Sequence, residues 1–142
     1  MNMKKNIPNP GLALIARKQP LGKADADKIE LMYLIHFDTL KRNACGEVGR
    51  NHIAFSVVTG MFLARMTRHA YLDSVAAAAY ESLQKAWKRS GDILTLTTGE
   101  YKNLCAFHSF YFKILPNIET GLVSDCARSA HHLLDQNVRV AA

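Results

Sequence analysis

The sequence predicts an all-α fold, an antiparallel bundle of four to five helices with an extended basic N-terminal arm. Apolar residues recur at helical spacing through five segments, and no segment alternates as a strand does. The connections between these segments are short, which makes successive helices antiparallel neighbours. The chain has 142 residues, 49% of them hydrophobic and 21% charged, which suits one globular domain that folds without disulfides or metal.

The arm is assigned to residues 1–24 and the helical-bundle domain to residues 25–142. Five prolines and glycines argue against a long helix in the arm: Pro8, Pro10, Gly11, Pro20 and Gly22. Five cations also precede the first acidic residue, Asp25, and these are Lys4, Lys5, Arg17, Lys18 and Lys23. Thirteen basic and twelve acidic residues remain after them, so most of the formal charge of +6 belongs to the arm. This arm could follow a nucleic-acid backbone, or it could be a solvated or partner-docked tail.

The first predicted helix spans residues 25–42. Asp25 and Asp27 place negative charge in its first turn, and Lys41 and Arg42 place positive charge in its last turn, as the helix dipole favours. Apolar residues cover much of its surface: Ile29, Met32, Tyr33, Leu34, Ile35, Phe37 and Leu40. We therefore expect it to be a central helix of the bundle.

The second helix is predicted from Glu47 or Arg50 to Arg68. Small residues fall four apart on one line of it, at Ser56, Gly60 and Ala64. Glycine inside a helix costs about 1 kcal/mol relative to alanine, so we expect close packing of a neighbouring helix to compensate at this line.

Three further helices are predicted. The third spans residues 71–90 and ends before Gly91. The fourth runs from Thr97 or Thr98 to Leu115, and the spacing of Thr97 and Glu100 predicts a capping box. The fifth spans residues 118–135, after Pro116 has ended the fourth.

Antiparallel packing would bring six cations to one end of the bundle, which we call the basic pole. They are Lys41, Arg42, Arg50, Lys85, Lys88 and Arg89, and Glu47 is the only acid expected nearby. Such a cluster could bind phosphates or an acidic protein surface. Alternatively, the cations lie there because helix C-termini favour positive charge.

Four aromatic residues crowd the fourth predicted helix: Phe107, Phe110, Tyr111 and Phe112. With Tyr101 upstream, they point in too many directions for one buried stripe to hold them. Either part of this aromatic surface is an interface, or the helix is packed on several sides.

Cys105 and His108 have the spacing of two ligands on one helix face, but zinc needs three or four. Others would have to come from Cys126, His131 or His132. Because both residues lie on the apolar stripe of their helix, a buried thiol and a hydrogen-bonded core histidine are the favoured interpretation. We predict no metal and no cofactor. A small-ligand or metal protein built on Cys105, His108 and His132 is the least favoured class.

Catalytic patterns are missing from the sequence. It contains no phosphate-binding glycine loop, no zinc-protease motif and no nucleophile elbow. Asp38 stands alone in an apolar helix, where we expect it to act as a cap or to pair with Arg65 or Lys102. We therefore predict that the protein is not an enzyme.

The cysteine content indicates a cytoplasmic protein. Three separated cysteines, Cys45, Cys105 and Cys126, suit reduced thiols better than a disulfide framework. The apolar run at residues 11–16 is too short for a signal peptide, and the run at residues 53–64 is too short to span a membrane. We predict no association with membranes, and neither a heptad nor a charge pattern decides whether the protein forms a homodimer.

Through a series of short motifs in a fixed order, the sequence resembles small all-helical proteins of unknown function encoded in bacterial prophages. The resemblance covers about residues 12–115. It is carried by Phe37–Asp38, Leu40–Lys41–Arg42, Cys45–Gly46, the Ala- and Val-rich helix that follows, and the basic helix end from Leu83 to Ser90. It brings no catalytic or binding residues, but it implies a phage or mobile-element context. Proteins of that kind often act by occupying a surface of a larger host complex, for example a nucleic-acid-guided defence complex.

We therefore expect a non-enzymatic binding protein that engages a host protein or nucleoprotein complex through the basic pole, the arm and the aromatic residues. The alternative is a small DNA- or RNA-binding regulator. A recognition helix is weakly supported, since residues 76–80 of the third helix offer little for reading bases.

Overall fold

The protein is a bundle of α-helices in the computed structural model, which describes residues 10–141. Six α-helices follow one another: α1 Pro10–Lys18, α2 Lys23–Lys41, α3 Glu47–Thr67, α4 Ala70–Arg89, α5 Thr98–Ile114 and α6 Thr120–Ala141. A 3₁₀ turn, Leu115–Asn117, joins α5 to α6. Within residues 10–141 the only β-type pairing is an isolated bridge between Pro20 and Glu119. The predicted all-α class is confirmed, and each of the five predicted helices is present.

The N-terminal arm is where the fold differs most from the prediction. Residues 10–18 are helical rather than extended, and α2 begins at Lys23, two residues before its predicted start. Proline is tolerated at the first position of a helix, so Pro10 begins α1, while Pro20 lies beyond its end. The nine residues between these two prolines contain no further proline, so a short helix fits there. Residues 1–9, with Lys4 and Lys5, lie outside the described residues.

Backbone hydrogen bonds attach this segment to the start of α6. The Leu21 amide donates to the Ile118 carbonyl at 2.8 Å, and the Thr120 amide donates to the Gln19 carbonyl at 2.8 Å. The α1 helix packs along α6. At Gly121 the two helices approach so closely that an added Cβ would lie 2.8 Å from Cβ of Arg17. The described part of the arm is therefore a packed element of the bundle.

Helix α3 lies at the centre and packs against α2, α4 and α6. The predicted small-residue line is confirmed, because Ser56, Gly60 and Ala64 are all buried. A Cβ on Gly60 would lie 2.7 Å from a ring carbon of Phe107 on α5. The missing side chain at Gly60 is what admits this aromatic ring, which is fully buried.

The start of α5 is fixed by the predicted capping box, which is confirmed. The Thr97 hydroxyl accepts from the Glu100 amide at 3.2 Å, and the Thr97 amide donates to the Glu100 carboxylate at 2.9 Å. The α6 helix begins at Thr120, two residues later than predicted, because the 3₁₀ turn takes up residues 115–117. Among the helices described, none is long and apolar enough to cross a bilayer.

Candidate protein-binding surface

Helix α2 lies on the outside of the bundle, and the prediction that it is a central helix is wrong. Its inner side carries Ala26, Tyr33, Phe37 and Leu40, all buried, and it packs mainly on α3 and on the junction of α5 with the 3₁₀ turn. Tyr33 and Phe37 stack on each other with ring centroids 5.5 Å apart. One side of α2 therefore completes the core, and the other side faces outward.

The outward side of α2 is apolar. Leu31 is 59% exposed, Met32 49%, Leu34 38% and Ile35 51%. We call these four residues the α2 face. Leu31 lies three residues from Leu34 and four from Ile35, and Met32 lies three from Ile35, which makes the four a contiguous group on the helix surface. Single exposed apolar side chains are normal on proteins, whereas a contiguous group of four large ones makes this surface a candidate for an interaction site. No other described helix exposes four large apolar side chains so close together.

Charged residues border the α2 face at both ends. Lys28 is exposed and has no ion-pair partner among the described residues. Asp38 pairs with Arg42 at 3.1 Å, one turn further along the same helix. The predicted pairing of Asp38 with Arg65 or Lys102 is wrong, because Asp38 lies on the outer side of α2 and 56% of its side chain is exposed.

Two histidine contacts hold the inner edge of α2. The His108 Nε2 atom of α5 lies 2.8 Å from a carboxylate oxygen of Glu30, and the His108 ring is parallel to the Tyr33 ring at 5.5 Å. On the other edge, the His36 ring lies 4.6 Å from the His52 ring of α3. Burial lowers the pKa of His52 below its usual 6.5, and the nearby His36 and His131 lower it further.

These contacts also show how the candidate metal ligands are used. His108 is paired with Glu30, and His132 lies 3.1 Å from the Gln136 amide nitrogen. His131 stacks on Phe55 at 4.1 Å. Within the part of the chain that the structure describes, no three His, Cys, Asp or Glu side chains are grouped so that they could hold a metal ion.

The helix ends that were predicted to form the basic pole lie near one another. The Leu94 amide donates to the Cys45 carbonyl at 2.8 Å, which joins the loop after α2 to the loop after α4. The Arg50 guanidinium lies 3.7 Å above the centre of the Trp87 ring. Burial lowers the pKa of Arg50, and its Nε atom is buried without a hydrogen-bond partner among the described residues.

Carboxylates neutralise much of this pole, and the prediction that Glu47 is its only acid is wrong. Arg42 pairs with Asp38 at 3.1 Å, Lys85 with Glu81 at 2.8 Å, and Arg89 with Glu100 at 2.6 Å. The Arg89 side chain makes two hydrogen bonds to Glu100, which contribute most to holding the pKa of that carboxyl at about 2. Lys41 and Lys88 are exposed, and the described residues give them no ion-pair partner.

The arm cations are used in a similar way. Arg17 pairs with Asp125 of α6 at 2.6 Å and also donates to the Gly121 carbonyl. Lys23 pairs with Asp27 at 2.7 Å within α2. Lys18 is exposed at the end of α1. Of the described arm cations, two therefore hold the fold together locally, and their charge is partly cancelled.

The aromatic residues of α5 do not form an exposed surface. Phe107 is 0% exposed, Tyr111 2% and Phe112 7%, while Phe110 is half-buried against His69 and Tyr71. The expectation of an aromatic interface is wrong for the three buried rings. The alternative, a helix packed on several sides, is confirmed, since the α5 rings contact residues of α2, α3 and α4.

The α2 face was missed by the sequence reasoning, although its signal was present. Apolar residues cover much of the α2 surface, a pattern that predicts a central helix and does not show which side stays exposed. No family model matches the chain, and no curated protein or solved structure is significantly similar to it. The candidate site is therefore argued from geometry and exposure alone.

Proposed function

We propose that this chain is a non-enzymatic protein-interaction module whose interface is the α2 face. In line with the resemblance to prophage-encoded proteins, the partner that we propose is a host protein or nucleoprotein complex, such as a nucleic-acid-guided defence complex. The single observation that supports the proposal most directly is the exposure of Leu31, Met32, Leu34 and Ile35 on one outer surface.

The energetic argument rests on how much apolar surface the face leaves in water. Full burial of a large aliphatic side chain contributes about 1.5–3 kcal/mol, and the four residues are each roughly half exposed. Covering them would contribute about 3–6 kcal/mol before the cost of association is counted. This contribution is of the same order as the cost of association, so contacts of the charged residues at the rim have to add to it.

The basic pole supports a protein partner better than a nucleic acid. Three of its six cations are already paired with carboxylates, and Arg50 is placed on Trp87. Binding to phosphates depends on the number of free cations that replace counterions, and pairing within the fold lowers that number. Nucleic-acid binding stays a prediction of the sequence. The nuclease and salt conditions of the capture experiment test it.

The experiment is quantitative affinity capture from bacterial lysate with the full chain as bait, with and without nuclease and at two salt concentrations. The test variant is Leu31→Gln/Ile35→Gln, which removes apolar surface from the α2 face. The matched control is Met66→Gln/Ile93→Gln, which changes two exposed apolar residues elsewhere. Circular dichroism melting establishes that both variants keep the fold.

We expect a stoichiometric protein partner that survives nuclease, is captured equally by the wild type and the control, and is lost with the test variant. Equal capture by the test variant would show that the α2 face is not the interface. Loss of all captured material after nuclease or at higher salt would instead identify a nucleic-acid binder.

A further inference from the structure

The outer ridge of α2 has the spacing of a coiled-coil seam. Lys28, Leu31, Ile35, Asp38 and Arg42 follow one another at intervals of three, four, three and four residues, and each of them is exposed. This is the spacing at which two helices pack side by side with their seams in contact. The apolar pair Leu31 and Ile35 lies in the middle of the seam, and charged residues lie at its ends.

The charges on this ridge are arranged symmetrically about Tyr33, the midpoint between Leu31 and Ile35. Lys28 lies five residues before Tyr33 and Asp38 five residues after it. In an antiparallel pair of α2 helices with a two-fold axis at this midpoint, Leu31 packs against Ile35 of the second copy. The same register places Lys28 opposite Asp38 of the second copy, and symmetry repeats the contact.

The opposite orientation is disfavoured by the same residues. A parallel pair in register would place Lys28 against Lys28 and Asp38 against Asp38, so that like charges meet at both ends of the apolar centre. The residues that face each other at the ends of the antiparallel pair are also compatible in size. Arg42, which pairs with Asp38 in its own helix, lies opposite the small side chain of Ala24 of the second copy.

We propose that the occupant of the α2 face is a second copy of this chain, packed antiparallel through α2 in a two-fold dimer. This inference rests on the proposed function only in taking the α2 face to be a protein interface. The charge complementarity of Lys28 with Asp38 selects a copy of this chain over an unrelated partner. In this dimer the α2 face is covered, and a host complex reaches it by displacing one copy.

The test is sedimentation equilibrium of the full chain over micromolar concentrations. Four proteins are compared with the wild type: Lys28→Glu, the charge swap Lys28→Glu/Asp38→Lys, the apolar variant Leu31→Gln/Ile35→Gln, and the control swap Glu81→Lys/Lys85→Glu. The control exchanges an exposed ion pair of α4, which lies away from the α2 face. Melting curves verify that each variant is folded.

We expect the wild type and the control to sediment at twice the chain mass of 15.8 kDa. Lys28→Glu turns two attractive contacts into two repulsive ones and should weaken the dimer about tenfold. The charge swap should recover most of the affinity that Lys28→Glu loses, less the loss of the ion pair between Asp38 and Arg42. The apolar variant should be monomeric. Restoration by the swap is the result that a merely structural role of Lys28 would not give.

Three results would overturn the inference. A wild type that stays monomeric would exclude the second copy. A dimer that the apolar variant leaves intact would place the contact elsewhere, and a dimer that Lys28→Glu weakens but the swap does not restore would exclude the antiparallel register. Comparison with the capture experiment separates the two proposals. A monomer whose captured partner is lost with Leu31→Gln/Ile35→Gln refutes only the dimer, and a monomer whose capture is unchanged by that variant refutes both.

Discussion

Helices α2 and α5 are both rich in apolar residues, yet α5 buries its large rings whereas α2 leaves large aliphatic side chains exposed. The α5 rings of Phe107, Tyr111 and Phe112 are buried, whereas Leu31 and Ile35 of α2 are more than half exposed. The difference comes from the number of neighbours. Helix α5 meets other helices on several sides, whereas α2 packs on its inner side and leaves its outer side largely exposed. An apolar helix surface is therefore buried or exposed according to its place in the bundle.

The two helices are nevertheless joined through one aromatic cluster. Tyr33 of α2 contacts Phe107, His108 and Phe112 of α5, with centroid distances of 6.4, 5.5 and 5.4 Å. The Tyr33 hydroxyl is buried without a hydrogen-bond partner among the described residues, and burial strongly raises its pKa. The inner side of α2 thus belongs to the same core as α5. The contrast in exposure therefore also holds between the inner and outer sides of α2.

The largest expected effect separates a core ring from an exposed side chain of the α2 face. Phe107→Ala removes a fully buried ring and should lower the free energy of unfolding by about 3–5 kcal/mol. Leu31→Ala, measured in solutions too dilute for association, should change it by no more than about 0.5 kcal/mol. Urea unfolding followed by circular dichroism measures both. A cost of several kcal/mol for Leu31→Ala would mean that the α2 face is packed within the fold.

A smaller effect is expected where α5 approaches α3. Gly60→Ala places a methyl group 2.7 Å from the Phe107 ring, and the resulting overpacking should cost about 1–3 kcal/mol. The matched control is Gly99→Ala, in the first turn of α5, where an added Cβ meets no atom within 4 Å. That variant should gain about 0.4–1 kcal/mol through the lower entropy of the unfolded chain. Equal free energies of unfolding for the two variants would show that the Phe107 ring moves aside without cost.

The smallest effect concerns the histidine contact between α2 and α3. Because the pKa of His52 is lowered in the fold, its neutral form is favoured there, and the resulting stability is complete above pH 6.5. That stability is lost as the pH falls below 6.5 and through the lowered pKa. The free energy of unfolding of the wild type should therefore fall between about pH 7 and pH 5.

The variant His52→Gln should flatten this pH dependence, as measured by urea unfolding at several pH values. His132→Gln, which changes an exposed histidine of α6, is the control and should leave the slope in place. An unchanged slope in His52→Gln would assign the pH dependence to other groups. No matching loss is expected for the contacts of α5 with α3, since Gly60, Phe107 and Tyr111 meet there and none of them titrates between about pH 5 and pH 7.

Much of the fold could be predicted because its signals are local. The capping box of Thr97 and Glu100 depends on two residues three positions apart, and the line of Ser56, Gly60 and Ala64 depends only on the helical repeat. The prediction failed for α1 because the prolines were interpreted as interrupting a helix. Pro10 instead begins α1.

The candidate site could not be predicted in the same way. The contacts between Leu94 and Cys45 and between Arg50 and Trp87 show that the loop after α2 and the start of α3 lie beside the end of α4. The basic pole as a binding site stays a prediction. The carboxylate partners of its cations were missed. The one-turn spacings of Asp38 with Arg42 and of Glu81 with Lys85 do not by themselves show that a pair forms, and Glu100 is brought to Arg89 by the loop after α4. Whether a cation and a carboxylate form an ion pair depends on side-chain rotamers and on the path of the loops, and neither can be read from the sequence.

The sequence by itself determined where helices form, because the apolar repeat, the capping residues and the prolines act within a few positions of one another. It also determined that α2 is apolar on more than one side. Only the tertiary structure decided that Tyr33 and Phe37 turn inward while Leu31 and Ile35 stay outside. The physical reason is that burial depends on the number of neighbouring helices that reach a surface, and this number is set by contacts distant along the chain.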